Sequence, residues 1–410
     1  MTDKKGYMRY FTLLVLMLSY TLTSMAQSQE NTLLKNTNTN NQQTPGVIST
    51  DSVRSMPALE EIQIQSKSNK RYKETSNSPQ VSSEKISKDA DLKTNTQQLQ
   101  SAKYQFETNY SNSRHQLYRR SPSALEFSNM HQSAQIYSNM LPGSFEQHFY
   151  NYLISKYDPK QFPELEKAAA IHPNQTEVQQ ELAVYGVATG NTALTDSVAL
   201  QMINQNKITE GVLSYSADLV NSIPLNSTLL LHGYTELIPA CYTISVQNRS
   251  DIQLISVDLM QSPAYQASLS SKGFILPGTT YIDTAFVQEF CSLNATKNIY
   301  LSMSFPKEYF QGMTRDLSPV GLTFAFNSTM QDRNGWNMNL VQNVWNKDQL
   351  GIARDAQSDA LSANYLPTLI SVEELYREYN RSENANEISH LIMSVAIRAK
   401  KTGQLSKIKR

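Results

Sequence analysis

Apolar residues recur at helical spacing over residues 140–222, as in "GSFEQHFYNYLISKY", and this pattern predicts several helices there. Over 223–330 the pattern changes to short apolar runs with β-branched and aromatic residues, which are typical of strands. Helical spacing returns over 331–410, where it predicts an antiparallel helical hairpin and a basic tail. The chain is therefore expected to combine helical segments with one small sheet.

The sheet is predicted from four apolar runs. "STLLLHGY" (227–234) and "IQLISVDLM" (252–260) are separated by about 17 residues of helical pattern. Such a βαβ unit should form a right-handed crossover between parallel strands. "NIYLSMSF" (298–305) adds a third strand, and "GLTFAFNS" (321–328) is expected at the sheet edge. The prediction is a small, mostly parallel α/β domain of three or four strands.

The helical module at 140–222 resembles tetratricopeptide repeats. In "LEKAAAIHPNQTEVQQELAVYGVATGN" (165–191), Ala168 and Pro173 stand at the interval usual for the joint between two such repeats. The likeness covers about one repeat and implies three or four helices. A module this short needs a neighbouring domain to bury its outer face.

Residues 27–135 have the composition of a disordered tail, rich in Asn, Gln, Ser, Thr and Lys. The segment 101–120, "SAKYQFETNYSNSRHQLYRR", differs because tyrosines and a phenylalanine alternate with arginines. Aromatic and arginine side chains can stack on nucleobases. The alternatives are an arm that packs on the folded body and a short docking motif, and the neutral chain favours these two.

The first 26 residues have the pattern of a secretory signal peptide. A basic stretch precedes the apolar run "YFTLLVLMLSYTL" (10–22), and a cleavage site is expected between Ala26 and Gln27. Met8 is an alternative start, and an uncleaved anchor is an alternative to cleavage. The prediction is export across the inner membrane to the periplasm or outer envelope, without a transmembrane segment in the mature chain.

Charge and cysteine content narrow the functional classes. The formal net charge is +0, with 36 basic and 36 acidic residues, so no global field attracts nucleic acid. Cys241 and Cys291 either form one disulfide or remain two buried thiols. No two histidines are spaced as in a helical zinc site. We therefore expect no metal, cofactor or nucleic-acid partner.

The best-placed candidate site is "LLLHGYTELIPACYTI", a strand, a glycine turn and a helix in succession. His232 could act as a general base there, with Asp258 at the end of the next strand as its partner. Gly233, Tyr234 and Glu236 would complete a ligand site. The competing interpretation is that His232 and Asp258 cap the following helices and that Glu236 complements a helix dipole.

Known catalytic motifs are not found in the sequence. It has no Gly-x-Ser-x-Gly elbow and no phosphate-binding loop, and the turn holds one glycine where a dinucleotide-binding turn needs three. An enzyme is therefore less expected than a binding protein.

The segment order over 223–403 resembles the soluble C-terminal half of a family of multi-spanning, glycosyltransferase-like membrane proteins of unknown function from Bacteroidetes. Arg249 and Asp251 occupy an "R-x-D" entry to the second strand, and "WNKDQLG" contains that family's "N-K-x-x-x-G" at Asn346. Asn364 begins its closing helical segment. The resemblance implies an envelope module of a Bacteroidetes-type bacterium.

That resemblance implies no enzymatic activity. The family places an acidic residue after the turn glycine, where this chain has Tyr234, and its membrane half has no counterpart here. The sequence thus predicts a non-catalytic envelope scaffold that binds protein partners. The alternative is an accessory protein of envelope glycan or glycoprotein synthesis, with a sugar or lipid-linked ligand in the α/β cleft.

Overall fold

The computed structural model describes residues 81–115, 119–279, 281–328 and 330–408. The predicted signal peptide, including the cleavage site at Ala26, lies outside these residues. Leu99–Arg410 forms one compact unit. Within it, helices and strands contribute to one continuous hydrophobic cluster rather than to separate cores.

Two helices occupy much of the segment predicted as a disordered tail. They are α1 (Val81–His115) and α2 (Ala124–Met140). The disorder prediction is wrong for 99–135, because Phe106 of α1 is buried and stacks on Tyr150 with ring centroids 3.7 Å apart. The segment 101–120 is thus an arm that packs on the folded body, as one of its three interpretations expected.

The helical module contains five α-helices rather than three or four. They are α3 (Phe145–Leu153), α4 (Phe162–Ile171), α5 (Thr176–Thr189), α6 (Thr192–Asn204) and α7 (Glu210–Asn221). α5 ends at Gly190, whose φ of 73° gives the left-handed C-cap that glycine favours. The helices are confirmed, but a tetratricopeptide repeat is not.

The sheet has five strands in the order β2-β1-β3-β5-β4. These strands are β1 (Thr228–Leu231), β2 (Gln253–Ser256), β3 (Ile299–Ser302), β4 (Leu317–Val320) and β5 (Thr323–Phe326). β1 pairs in parallel with β2 and β3, whereas β5 is antiparallel to β3 and β4. The predicted parallel βαβ unit is confirmed, and the sheet as a whole is mixed.

The sequence prediction missed β4 and misplaced the edge. β4 contains Pro319, which lacks an N–H donor and so weakens the strand signal in the sequence. An edge strand tolerates proline, and β4 lies at that edge. The run predicted as an edge strand is β5, which is paired on both sides.

Three helices accompany the strands: α8 (Tyr234–Val246), α9 (Pro263–Ser271) and α10 (Thr284–Leu293). The crossover from β1 to β2 runs in the opposite direction to that from β2 to β3, so right-handed crossovers place α8 and α10 on opposite faces. Cys241 of α8 and Cys291 of α10 are free thiols, which excludes the disulfide between them. Burial raises the pKa of Cys241 to about 12.

The C-terminal region is helical, and its hairpin is confirmed. It contains α11 (Arg333–Asn339), a π-helical segment (Leu340–Val344), α12 (Lys347–Leu350), α13 (Ala356–Leu361), α14 (Leu366–Glu378), α15 (Ser382–Arg398) and α16 (Thr402–Ile408). The hairpin consists of α14 and α15, which pack closely along their length. Among the described residues, no helix combines the length and the apolar character needed to cross a membrane.

Candidate functional site

The turn between β1 and α8 is held by a buried carboxylate. Gly233 has a φ of 70°, a backbone conformation that glycine adopts without a steric penalty. Its N–H donates to Oδ2 of Asp258 at 2.6 Å, and Asp258 is buried just beyond β2. Asp258 therefore fixes the shape of the turn.

His232 contacts the end of β3 on the other side of the turn. Its Nε2 lies 2.8 Å from the carbonyl oxygen of Ser304, and its ring lies 4.6 Å from that of Phe305. A carbonyl only accepts, so Nε2 carries the proton in this bond and has no lone pair with which to act as a base. The structure thus gives His232 and Asp258 separate hydrogen-bond partners.

Glu236 lies in the first turn of α8, as expected, but it is buried rather than solvated. Its carboxylate accepts hydrogen bonds from three hydroxyls: Tyr215 at 3.1 Å, Ser302 at 2.7 Å and Ser304 at 2.7 Å. Burial raises the pKa of Glu236, and these hydrogen bonds oppose the rise. The group joins α7, α8 and β3 within the core.

Ser304 lies next to both a histidine and a carboxylate, so it could be mistaken for a nucleophile. Its Oγ is 3.2 Å from Nε2 of His232, but it donates its own proton to Glu236. A serine nucleophile needs the histidine to accept that proton. The hydrogen bonds run in the opposite direction, so the arrangement is structural.

Tyr234, the residue after the turn glycine, belongs to a second buried group, which we call the arm cluster: Tyr110, Arg114, Tyr157, Glu181 and Tyr234. Oε1 of Glu181 accepts from Tyr110 at 2.7 Å, from Arg114 at 3.0 Å and from Tyr234 at 3.0 Å. The guanidinium of Arg114 lies 3.7 Å from the ring centroid of Tyr234. The hydroxyls of Tyr157 and Tyr234 are 2.7 Å apart.

The arm cluster closes the candidate site from α1. Arg114 and Tyr110 come from α1, Glu181 comes from α5, and Tyr234 begins α8 directly after the turn. Desolvation raises the pKa of Tyr234 well above its ordinary value. The position where an α/β protein commonly binds its ligand therefore holds the chain's own arginine and tyrosines.

A small cavity remains beside this cluster. Its volume is about 20 Å³, which is room for one water molecule. Oε2 of Glu181 and the hydroxyl of Tyr152 are buried without a hydrogen-bond partner, and both residues line the cavity. A ligand larger than a water molecule does not fit in this cavity.

A larger opening lies elsewhere, between α7 and the C-terminal helices. We call it the C-terminal cleft; its volume is about 200 Å³. Its polar lining residues are Ser214, Tyr215, Asp218, Asn346, Gln349, Arg354, Ser358, Tyr365 and Arg398. Sequence reasoning assigned this region no site.

An acid and an aromatic side chain are joined at one wall of the C-terminal cleft. The hydroxyl of Tyr365 donates to Oδ2 of Asp218 at 2.6 Å. Burial raises the pKa of Asp218 to about 6, although this hydrogen bond opposes the rise. Near neutral pH a fraction of Asp218 is therefore protonated.

Two carboxylates in the sequence could have located both regions. Glu181 lies within the buried stripe of α5, between Val178 and Val184, where a charge requires a partner. Asp218 similarly lies between Tyr215 and Leu219, both of which are buried. A carboxylate at a core-facing position of a helix marks each region, but the sequence alone does not supply its partner.

The residues that carry the family resemblance have structural contacts. Arg249 and Asp251 form a two-point ion pair with distances of 2.8 and 3.0 Å, and Arg249 also donates to two carbonyl oxygens. Asn346 lines the C-terminal cleft, and Asn364 donates to the hydroxyl of Tyr215 at 2.9 Å. No family model, curated protein or solved structure matches this chain.

Proposed function

We propose that this protein is a non-catalytic scaffold of the bacterial cell envelope that acts through protein–protein contacts. One observation carries the proposal. The strand-end edge of the sheet, where an α/β enzyme would bind its substrate, holds Arg114 packed on Tyr234. The residues that resemble catalytic groups in the sequence stabilise the fold instead.

The chemistry of the turn supports a non-catalytic role. His232 donates to a carbonyl, Asp258 accepts from the turn glycine, and Ser304 donates to Glu236. His232 Nε2 and the Ser304 hydroxyl are therefore both donors, an arrangement that does not suit activation of Ser304 for nucleophilic attack. The same filled edge counts against the alternative of a sugar or lipid-linked ligand in the α/β cleft.

The envelope location is the part of the proposal that comes from the sequence. It is supported by the signal-peptide pattern of residues 1–26 and by the resemblance to an envelope family of Bacteroidetes. The test is to express the full chain in a Bacteroidetes host and fractionate the cells. Recovery of the protein in the cytoplasm, with its first 26 residues retained, would contradict this part.

The C-terminal hairpin offers a surface for protein partners. Met393 and Ile397 lie four residues apart on α15, so they share one face, and they are 46% and 62% exposed. Tyr379, just after α14, is also exposed. Two large apolar residues on one solvent-facing helix stripe are consistent with a contact surface.

Site-specific photocrosslinking tests the scaffold role. A photoreactive amino acid replaces Met393 in the full chain, and the control carries it at Leu225, another exposed apolar position far along the sequence. We expect a discrete adduct from position 393 and none from 225 in intact cells. The same smear of adducts at both positions, or no adduct at 393, would reject the hairpin as the contact surface.

A histidine variant tests the absence of catalysis. We expect His232→Ala to complement a deletion of the gene, provided that circular dichroism shows an unchanged fold. Loss of complementation by a variant that is as abundant and stable as the wild type would show that the imidazole has a chemical role.

A further inference from the structure

The C-terminal cleft has the properties of a ligand site that the scaffold role does not require. We propose that it binds a small hydroxycarboxylate of about the size of one sugar acid, with the guanidinium of Arg354 holding the carboxylate. The proposal depends on the charge, shape and polar lining of the cleft, and it is independent of the protein-contact surface on α15.

Arg354 has hydrogen-bonding capacity to spare. Its side chain is exposed, and its guanidinium donates to neutral oxygens: Ser214 Oγ at 3.4 Å and Gln349 Oε1 at 2.9 Å. Within the described part of the chain, no carboxylate forms an ion pair with it. A guanidinium has five N–H donors and matches a carboxylate in a two-point bond.

Arg398 lines the same cleft but is already paired. Its Nε donates to Asp359 at 2.7 Å, and its two other nitrogens donate to the Leu350 carbonyl at 3.0 Å and to Ser358 Oγ at 3.1 Å. Its charge is therefore compensated within the protein. The cleft thus has one arginine that fixes its wall and one that is available to an anion.

α7 and α13 pack in direct contact at one wall of the cleft. A Cβ at Gly211 would come within 2.5 Å of Ser358 Oγ, so the missing side chain allows the two helices to meet. Oδ2 of Asp355 accepts hydrogen bonds from the hydroxyl of Thr209 at 2.9 Å and from Ser358 Oγ at 2.7 Å. A site that is formed before binding loses less entropy when the ligand enters.

Other lining residues offer partners for hydroxyl groups. Asp218 accepts from Tyr365, and Asn346 and Ser214 add an amide and a hydroxyl to the lining. A carboxyl group that is partly protonated near neutral pH accepts from a ligand hydroxyl or donates to one. It also repels a bound anion less than a permanent carboxylate does. One arginine that is unpaired among the described residues, beside amide, hydroxyl and partly protonated carboxyl groups, fits a ligand with one carboxylate and several hydroxyls.

The protein contains a built-in reporter. Trp345 lies between the lining residues Val344 and Asn346, and its ring packs edge-on against Tyr365 at 4.9 Å. The chain has two tryptophans, so a Trp336→Phe variant leaves Trp345 as the single emitter. The fluorescence of that variant of the full chain is titrated with D-glucuronate, L-lactate and the neutral sugar D-glucose.

We expect a saturable fluorescence change with D-glucuronate and at least tenfold weaker binding of D-glucose, which has the same ring without the carboxylate. Arg354→Ala should remove the saturable change, and Arg354→Lys should retain part of it, because lysine keeps the charge but loses the two-point geometry. Arg381→Ala, at an exposed arginine outside the cleft, should bind as the parent does.

Three results would overturn the proposal. They are the absence of saturation with both D-glucuronate and L-lactate, equal affinity for D-glucuronate and D-glucose, and unchanged D-glucuronate affinity in Arg354→Ala. Photocrosslinking from position 393 is unaffected by any of them, so failure of this site and failure of the scaffold role are distinguishable.

Discussion

The arm cluster and the C-terminal cleft combine the same kinds of side chain in two different states. Each contains an arginine, a carboxylate and tyrosine hydroxyls. In the arm cluster Arg114 contacts Glu181 directly at 3.0 Å; Glu181 is buried, and the Arg114 side chain is 18% exposed. In the cleft Arg354 bonds to neutral oxygens at the surface, and Asp218 bonds to a tyrosine.

The difference shows how composition alone misleads about function. An arginine inside the fold whose charge is compensated by a carboxylate has few free donors for a ligand. Its removal destabilises the protein, because the carboxylate is then desolvated without a counter-charge. An exposed arginine with neutral partners contributes little to folding and keeps its charge available. The strand-end turn attracts attention in the sequence, yet the less conspicuous cleft has the chemistry of a binding site.

The largest expected effect is the loss of Glu181 from the arm cluster. Glu181→Ala leaves the largely buried Arg114 without its counter-charge and removes the acceptor of Tyr110 and Tyr234. We expect the free energy of unfolding to fall by about 3–5 kcal/mol, as for other broken buried pairs. Urea denaturation followed by circular dichroism measures the change.

Glu177→Ala is the matched control, because Glu177 is an exposed glutamate on the same helix, α5. A change within about 0.5 kcal/mol is expected for such a surface position. Equal losses in the two variants would mean that the arm cluster does not hold α1 on the body.

A smaller effect is expected from Arg398, the paired arginine of the C-terminal cleft. Arg398→Ala removes bonds to Asp359, Leu350 and Ser358. Bonds to charged groups contribute about 1.5–3 kcal/mol each at most, and Asp359 is partly solvated, so a total loss of about 2 kcal/mol is expected. Thermal and urea unfolding of Arg398→Ala is compared with that of Arg381→Ala as the control. If Arg398→Ala is as stable as wild type, Arg398 is no more structural than Arg354, and the contrast between the two cleft arginines is wrong.

Much of the fold could be predicted from the sequence because local periodicity reports which face of an element is buried. The βαβ unit was recoverable, since β1 contains three successive leucines and is buried throughout. β4 was not, because Pro319 and the short run hide an edge strand. The arm was only one of three interpretations, because the packing of Phe106 depends on a residue far along the chain, Tyr150.

The sequence predicted where the candidate site lies but not which residues its side chains contact. The strand, glycine and helix sequence correctly located the turn, and Asp258 does reach it through the turn glycine. The partners that decide its chemistry come from distant segments: Ser304 for His232, and Arg114 for Tyr234. Sequence spacing carries no information about such contacts, so a turn with a suitable shape gave no reliable account of its chemistry.

A pH experiment tests a third buried carboxylate, Glu236, which belongs neither to the arm cluster nor to the lining of the C-terminal cleft. Burial raises the pKa of Glu236 above its unfolded value, so the fold favours the protonated form. Wild-type stability should therefore decline as the pH rises from the unfolded pKa through the folded one. Glu236→Gln does not titrate, so it should gain stability relative to wild type across that window.

Paired urea titrations of the two proteins at pH 4 and pH 7 measure this relative change directly. A difference between wild type and variant that stays constant with pH would contradict a raised pKa for Glu236. If Glu236→Gln becomes less stable relative to wild type as the pH rises, the three hydroxyls stabilise the charged form of Glu236 more than burial destabilises it.

The smallest stability effect is expected at Arg354, and it is the sharpest test of the comparison. The side chain is exposed and bonds to neutral oxygens, so Arg354→Ala should change the free energy of unfolding by no more than about 0.5 kcal/mol. The same substitution should abolish D-glucuronate binding. Glu181→Ala should show the reverse at a temperature where it remains folded, with reduced stability and unchanged D-glucuronate affinity. A large loss of stability in Arg354→Ala would show that Arg354, like Arg114, is a structural residue. A guanidinium whose bonds stabilise the fold is not available to bind a ligand.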